Sequence, residues 1–562
     1  MFLRCFNFRL FLIFISALFL FLILIFVVFL FFPHEREGLD TLEKYQSKVT
    51  KEDINLYRSQ NYRGLKEIGF QPRDDVEPWP FSVPVNWAAD PYDDSNWKFQ
   101  LNAWRGIDPI IIEYERTNNP VYLEEAISFM VDWYRHKEEN GDNRYTWYDM
   151  AAGIRAMRIG YIIDQIYSGA IEVEPDEDIT IAAMANEHAK RLQEEDYINM
   201  GNHGLFQVFG LDILCSVISH KPTCEKGERF ASRMFSKILN HGFTEEGVHK
   251  EHSPYYHYFT VVNIDRLDHK RLENENAEEL LSRAREVQPW LIWPNGDFVQ
   301  TGDSTGQQPT LSSSKVPSHC LPSDECFAVG DFTDSGYAII RSFPDQPQQE
   351  SMLFVTGMKY SNIHKHTDEL SFAVFEYGRP VFIDSGKYGY KDDEWREYVI
   401  SAAAHNTISL NDTPIDPKDL QANGSFLDPI KLGKDEFQIE GKIEREGLFI
   451  QNRNIEYTPG ERLVIRDVLE ADSQKDYVSS LHLSSDLEAS ITGNGFVIDM
   501  GDGRNVTGRL EEDDCEVTRD RGQRDPALGW ESTGYLQMIP TTTIRALCSG
   551  ADRTITWNIE FN

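Results

Sequence analysis

The chain has 562 residues, more than one hydrophobic core usually supports, so two or three domains are expected. Asp and Glu number 91 against 55 Lys and Arg, a formal charge of −36. A surface this acidic repels phosphate backbones, which argues against a nucleic-acid partner, and it sits poorly with a densely sulfated ligand unless a basic cleft is reserved for one.

In chain order, the first element is apolar. From Leu10 to Phe32 there are 23 residues without a charge, enough for the ~20-residue helix that crosses a bilayer. Arg4 and Arg9 precede this run and Glu35, Glu37 and Asp40 follow it, so the positive-inside bias places the N-terminus in the cytoplasm. The run is too long for a cleaved signal, and no Ala-x-Ala site follows it. Residues 1–33 are therefore read as an uncleaved signal anchor, a single transmembrane helix with the bulk of the chain periplasmic or extracellular. Cys5 precedes the anchor. The other six cysteines fall into local pairs, Cys215 with Cys224, Cys320 with Cys326 and Cys515 with Cys548, as suits an oxidising compartment. Free buried thiols are the alternative.

Residues 34–95 are polar, with Pro and Asp clusters, and read as a linker and entry segment. Residues 96–310 follow as a helical domain. Trp147, Met150, Ala151, Ile154, Met157, Tyr161 and Ile162 recur at three- and four-residue steps, and short loops between such stripes suit antiparallel helix pairs. After the Ser/Pro/Gly-rich stretch 302–323 the texture changes. Runs such as Tyr337–Ser342, Met352–Thr356, Leu370–Tyr377 and Leu463–Leu469 are short, alternating or β-branched. Residues 311–562 are thus expected to form an antiparallel β-sandwich, giving an α-then-β order overall.

Three segments carry residues suited to chemistry. Asn202-His203 stands before an apolar stripe, where Asn is equally a favoured helix cap. Glu251-His252-Ser253-Pro254-Tyr255-Tyr256-His257-Tyr258 is dense in polar aromatics. Aromatic faces suit pyranose rings, and a tyrosine hydroxyl serves as an acid or base when its environment is tuned; a surface helix end is the plainer reading. The third segment holds His364, His366, Asp384 and His405. Histidine and carboxylate are the ligand types for zinc and similar divalent ions, although composition alone supports a satisfied polar cluster equally well.

The order and wording of these segments resemble the heparinase II/III-like polysaccharide lyases, alginate-lyase relatives included, over residues 95–560. The resemblance rests on His364-Lys365-His366-Thr367-Asp368-Glu369-Leu370-Ser371-Phe372, on Gly378-Arg379-Pro380-Val381-Phe382-Ile383-Asp384-Ser385-Gly386 and on His405-Asn406-Thr407. Shorter matches are Trp147-Tyr148-Asp149 with Arg155, Asn202-His203 and the Glu251–His257 segment. It implies an (α/α) toroid before the sandwich, and β-elimination on a uronic-acid-containing polysaccharide; the uncleaved anchor, a departure from freely secreted lyases, points to work at the cell envelope. It implies that Asn202 binds the substrate carboxylate and that Tyr256 transfers the proton. His203 and His364 are the other candidate base or neutralising groups, and Arg155, Tyr255 and Tyr398 would contact substrate. A structural divalent metal, by resemblance zinc, would sit on His366, Asp384 and His405. Two alternatives stand beside this: a non-catalytic carbohydrate-handling protein, and a glycoside hydrolase using Glu245, Glu246 or Glu251.

Overall fold

The computed structural model describes residues 38–562 except 41, 43, 268–271, 273–274, 307–308, 310–315, 321–325, 344–349, 434–435 and 502. The expected anchor at 1–33 lies outside the described residues. Among the described residues no helix is long and apolar enough to cross a membrane.

Two compact units emerge: residues up to Asn199 with His203–Met234, and Met200–Asn202 with Phe235–Asn562. The first is helical. The periodic stripe read from the sequence forms the helix Asp149–Tyr167, in which every residue from Ala151 to Asp164 is buried. A helix buried all round needs neighbours on every side. Gly153 and Gly210 permit one close approach: a Cβ on Gly153 would stand 2.2 Å from the Phe206 carbonyl oxygen, and one on Gly210 would stand 2.3 Å from that of Gly153. One buried ion pair in this unit closes internally. Arg158 donates to both oxygens of Asp108 at 2.9 and 2.8 Å.

The 34–95 segment is not a free linker. Tyr45, Ser47 and the Lys48 amide all donate to Asp164, at 2.6, 2.7 and 2.7 Å. Phe70 and Trp87 are buried, and Tyr62–Ile68 forms a helix. Its polar, Pro-rich composition concealed the few aromatic residues that anchor it. The Cys215–Cys224 disulfide also belongs to this unit.

The second unit joins two helices, Pro254–Arg266 and Glu275–Val287, to the β-region. The compact unit that holds the β-region thus takes in residues from Phe235 on, ahead of the expected boundary near residue 310. The reason is a shared core: Val248, Val287, Trp290, Trp293 and Val299 pack with Tyr337, Ile339, Phe354 and Phe375. Those last residues lie on a six-stranded antiparallel sheet in the order His319–Cys320, Cys326–Phe332, Tyr337–Ser342, Ser351–Thr356, Phe372–Glu376, Arg379–Phe382. Its other face (Ala338, Ile340, Leu353, Val374) meets Ile455, Ile465 and Trp557 of an eight-stranded sheet and Leu481 and Ile544 of a four-stranded one. These layers form the expected sandwich. Strands covered on both faces read as continuous apolar runs, as Met352–Val355 does, whereas Phe449–Thr458 alternates because one face is solvated.

The Cys515–Cys548 disulfide closes within this unit. Cys326 is also disulfide-bonded, but the side chain of its expected partner, Cys320, lies outside the described residues.

Candidate active site

The site grows from the first turn of the helix Pro254–Arg266. Ser253 caps that helix, its Oγ accepting from the Tyr256 amide at 3.2 Å, and Pro254 occupies the first helical position, where its missing N–H costs nothing. Ser304 locks the same turn from outside: its Oγ lies 2.9 Å from Ser253 Oγ and accepts from the Tyr255 amide at 3.2 Å. The turn thereby presents Tyr255 and Tyr256 together.

The loop bearing His364 is held by His252. One ring nitrogen, Nδ1, donates to the Ile363 carbonyl at 2.9 Å while Nε2 accepts from the Tyr360 amide at 2.9 Å. Burial drives the His252 pKa down to about 3, so it stays neutral and can play both parts. His364 itself has φ of 53°, a left-handed conformation that a non-glycine residue adopts at a cost. Gly302, at φ +55°, makes room for it; a Cβ there would stand 2.3 Å from the His252 carbonyl oxygen and 3.1 Å from that of His364.

These elements assemble one cluster inside the second unit. Tyr256 and His364 stack with ring centroids 3.6 Å apart and 13° between planes. The Tyr256 hydroxyl lies 2.5 Å from that of Tyr390, which is 3.2 Å from His364 Nδ1. On the other side, Glu251 Oε2 stands 3.5 Å from His364 Nε2 and accepts from Asn202 Nδ2 at 3.3 Å. Behind His364, the fully buried Asp303 carboxylate contacts His364 Nδ1 at 2.8 Å and His366 Nε2 at 2.9 Å. It also accepts from both terminal nitrogens of Arg396, at 2.5 and 3.2 Å. The ammonium of Lys387 lies over the rings of Tyr390, Tyr255 and Tyr256 at 4.7, 5.5 and 5.5 Å.

Burial sets the proton inventory. It raises the Tyr256 phenol above its ordinary value, and the same effect with the Asp303 charge raises Tyr390, so both hold their protons. Lys387 is lowered by burial. Burial also pushes Asp303 upward, but the hydrogen bonds from His364 and His366 and the charges of His366 and Arg396 outweigh it and hold this carboxyl well below the usual range.

The predicted metal triad comes together. His366, Asp384 and His405 are buried, and each offers a ligand atom within 4.8 Å of the others. His405 Nδ1 is 2.7 Å from Asp384 Oδ2, and Asp384 Oδ1 accepts from the Gly386 amide at 3.0 Å. His366 Nδ1 and His405 Nε2 are buried with no hydrogen-bond partner among the described residues. Unpartnered imidazole nitrogens next to a carboxylate fit a divalent ion. Asn406 fastens the triad to the sandwich by donating to the Phe372 and Ile383 carbonyls at 2.8 and 2.9 Å and accepting from the His482 amide at 2.6 Å.

Other expectations need correction. Arg155 is fully buried in the first unit, donating to the carbonyls of Asn102 and Thr146 and to His188 Nε2, with its guanidinium 4.3 Å from the Trp133 ring. Three of its five N–H groups are thus engaged inside this unit. Tyr398 is also buried, its hydroxyl within 3.4 Å of Ser385 Oγ and bonded to the Trp530 backbone. It packs with Tyr388, Val399, Ala404 and Trp530. His203 belongs to the first unit, where Nδ1 meets Asp149 Oδ1 at 3.0 Å. Tyr255 stands edge-on to Tyr256. Of the carboxylates weighed for hydrolysis, Glu251 is in the cluster, whereas Glu246 accepts from Ser335 Oγ elsewhere. Asp303, the other carboxylate here, is sealed by four contacts. The sequence reading missed Asp303, Lys387, Tyr390 and Arg396. Asp303 lay in the stretch 302–323, whose Ser/Gly content read as a boundary; the Gly-Asp-Ser triplet within it was the available signal.

Two family profiles match the chain: heparinase II/III N-terminus over residues 30–282 and heparinase II/III-like, C-terminal over residues 327–559. No curated protein matches it by sequence. Among solved structures, a heparinase III superposes with a TM-score of 0.70 at 15% identity, over 93% of this chain and 87% of that one. A heparan sulfate lyase mutant from Pedobacter heparinus gives 0.64 at 14% identity, over 88% and 81%. A chondroitin AC lyase mutant from Streptomyces coelicolor gives 0.51 at 8% identity, over 83% and 75%. At such identities these structures show likeness of fold alone. The two profiles between them span both units, and the chain belongs to the heparinase II/III-like family of polysaccharide lyases.

Proposed function

We propose that the protein cleaves a uronic-acid-containing polysaccharide by β-elimination, with Asn202, Tyr256 and His364 as its reacting groups. The observation that supports the reading is the convergence of a protonated phenol, an imidazole and a side-chain amide on one cluster. In such a reaction the proton at C5 leaves, its electron pair becomes a C4–C5 double bond, and the C4–O bond to the departing sugar breaks. The C5 proton is weakly acidic until the neighbouring carboxylate is neutralised. Asn202 Nδ2 is the donor for that carboxylate, and a donor aimed at developing charge is worth about 3–4 kcal/mol. His364 Nε2 takes the C5 proton. The Tyr256 hydroxyl, kept protonated by burial, gives its proton to the leaving oxygen. Lys387 adds local positive charge to an otherwise acidic protein, which suits an anionic polymer.

The metal proposed here is zinc on His366, Asp384 and His405, where an ion would supply the positive charge that holds these three side chains in register. We place the helical region in an (α/α) toroid and the protein at the cell envelope, tethered by the Leu10–Phe32 run; the Cys215–Cys224 and Cys515–Cys548 disulfides support an oxidising compartment.

The test is incubation with a panel of uronate polymers, following the ultraviolet absorbance of the unsaturated product. Product from at least one polymer is expected. Binding without product on every polymer would instead favour a carbohydrate-handling protein, and new reducing ends without unsaturation would favour a hydrolase.

A further inference from the structure

Asp303 touches no position open to a substrate, yet it joins the two histidines on which the site depends. Its Oδ2 faces His364 Nδ1 and its Oδ1 faces His366 Nε2, while Arg396 bonds both oxygens. An ionised carboxylate only accepts. Both ring nitrogens that face it must therefore carry protons, which leaves the lone pair of His364 on Nε2 and that of His366 on Nδ1. The first of these nitrogens lies 3.5 Å from Glu251 Oε2, the oxygen to which Asn202 Nδ2 donates. The second is the buried, unpartnered nitrogen within the triad.

We propose that Asp303 is a positioning residue that fixes the tautomers of His364 and His366 together, aiming one free lone pair at the substrate and the other at the metal triad. The inference rests on the lyase reading for the role of His364. The backbone supports the same function: the Asp303 amide donates to the His364 carbonyl at 3.3 Å, so the carboxylate and the left-handed residue it orients are held by a common turn. Arg396 prevents the carboxylate from rotating away from either ring, because its two nitrogens bridge both oxygens. An amide in place of this carboxylate cannot satisfy all the same donors. Its NH2 group would face one histidine and the Arg396 guanidinium, and that histidine would have to turn over its protonation.

The experiment uses Asp303→Asn in the full-length protein and three readouts. With an active polymer, kcat should fall by about 100-fold or more while KM stays within about threefold, the pattern of a misoriented base. Bound zinc, measured on the purified variant by atomic emission, should fall as well if His366 is the ring that turns over, and should persist if His364 is. Wild-type kcat together with wild-type zinc content would overturn the proposal, as would a loss confined to KM. Histidine nitrogen NMR on the wild-type protein decides the point even if the variant does not fold: His364 should be protonated at Nδ1, and protonation at Nε2 alone would overturn it. If the wild type forms no unsaturated product, the lyase reading fails, whereas the NMR result still decides the role of Asp303.

Discussion

The phenol ring of Tyr256 lies flat against the imidazole of His364, with 3.6 Å between centroids. This stack puts the proposed acid and base side by side: the phenol meets Tyr390, and the imidazole meets Tyr390 and Asp303 through Nδ1 and Glu251 through Nε2. Tyr256→Phe retains the stack and removes only the hydroxyl. Its kcat should fall by about 10²–10⁴-fold, the usual contribution of a positioned proton donor, with thermal stability unchanged. Initial rates of unsaturated-product formation check this, and near wild-type turnover would remove Tyr256 from the mechanism.

The triad gives a second prediction. Zinc at a site that exists only in the folded protein stabilises by mass action, roughly 4 kcal/mol at a thousand times its Kd. Chelation should therefore lower Tm by several degrees, zinc should restore it, and His405→Ala should abolish the response. Calorimetry with and without chelator measures it; a Tm indifferent to both would show that the triad is only a polar cluster.

Glu376 supplies a pH effect away from the site. Its carboxyl is buried, with Ser351 Oγ and Tyr457 OH both donating to it, and burial raises its pKa to about 7. The folded state therefore binds a proton more tightly than the unfolded chain. This contribution to stability is fully present below the ordinary carboxylate range and is lost as pH rises through about 7. Glu376→Gln keeps the shape without the charge. It should raise stability at pH 8 by up to roughly 3 kcal/mol, from the 1.36 kcal/mol carried by each pKa unit, and flatten the stability profile between pH 5 and about 7. Denaturation midpoints across that range test it, and parallel profiles for the two proteins would refute it.

The Cys515–Cys548 disulfide spans 33 residues and ties the strand Thr542–Gly550 to the turn before Glu516–Arg521. Closing a loop of that size restricts the unfolded chain by about 3–4 kcal/mol. The double variant Cys515→Ala, Cys548→Ala should lose stability of that order while keeping its KM. Urea unfolding measures the loss.

Arg155 tests a corrected expectation. Arg155→Lys preserves charge but cannot reach the Asn102 and Thr146 carbonyls and His188 at once. Lower Tm with an unchanged KM in the folded fraction is expected. A raised KM at unchanged Tm would return Arg155 to the substrate.

The order of helices before strands was legible because apolar periodicity is a local property. The stripe at 147–162 and the run Tyr337–Ser342 reappear as a helix and a strand of nearly the same bounds. His366, Asp384 and His405 were legible through the family resemblance, and the structure brings their ligand atoms together. Domain limits were not, since they depend on which surfaces meet: Trp290 and Trp293 follow helical texture yet complete a β-sheet core. Arg155 and Tyr398 were misread for the same reason, because a polar side chain on a periodic face looks alike whether its partners are solvent, substrate or buried carbonyls. Tyr390 and Lys387 escaped notice because a single Tyr or Lys in a loop has no period, and only the stack of rings beneath the Lys387 ammonium distinguishes it.

The Gln300–Ser304 turn bears on how this protein can diversify. Ser304 holds the tyrosine-bearing helix start, Gly302 admits His364 and Asp303 orients it, so a change at any of the three disturbs several groups at once. The neighbouring rim is built differently: Ile363 is 50% exposed and Leu536, hydrogen-bonded through its amide to the Tyr388 carbonyl, is 40% exposed. Exposed loop positions tolerate replacement with little loss of stability. Rewriting this rim therefore costs the protein less than any change in the turn behind it, which is inherited as a block.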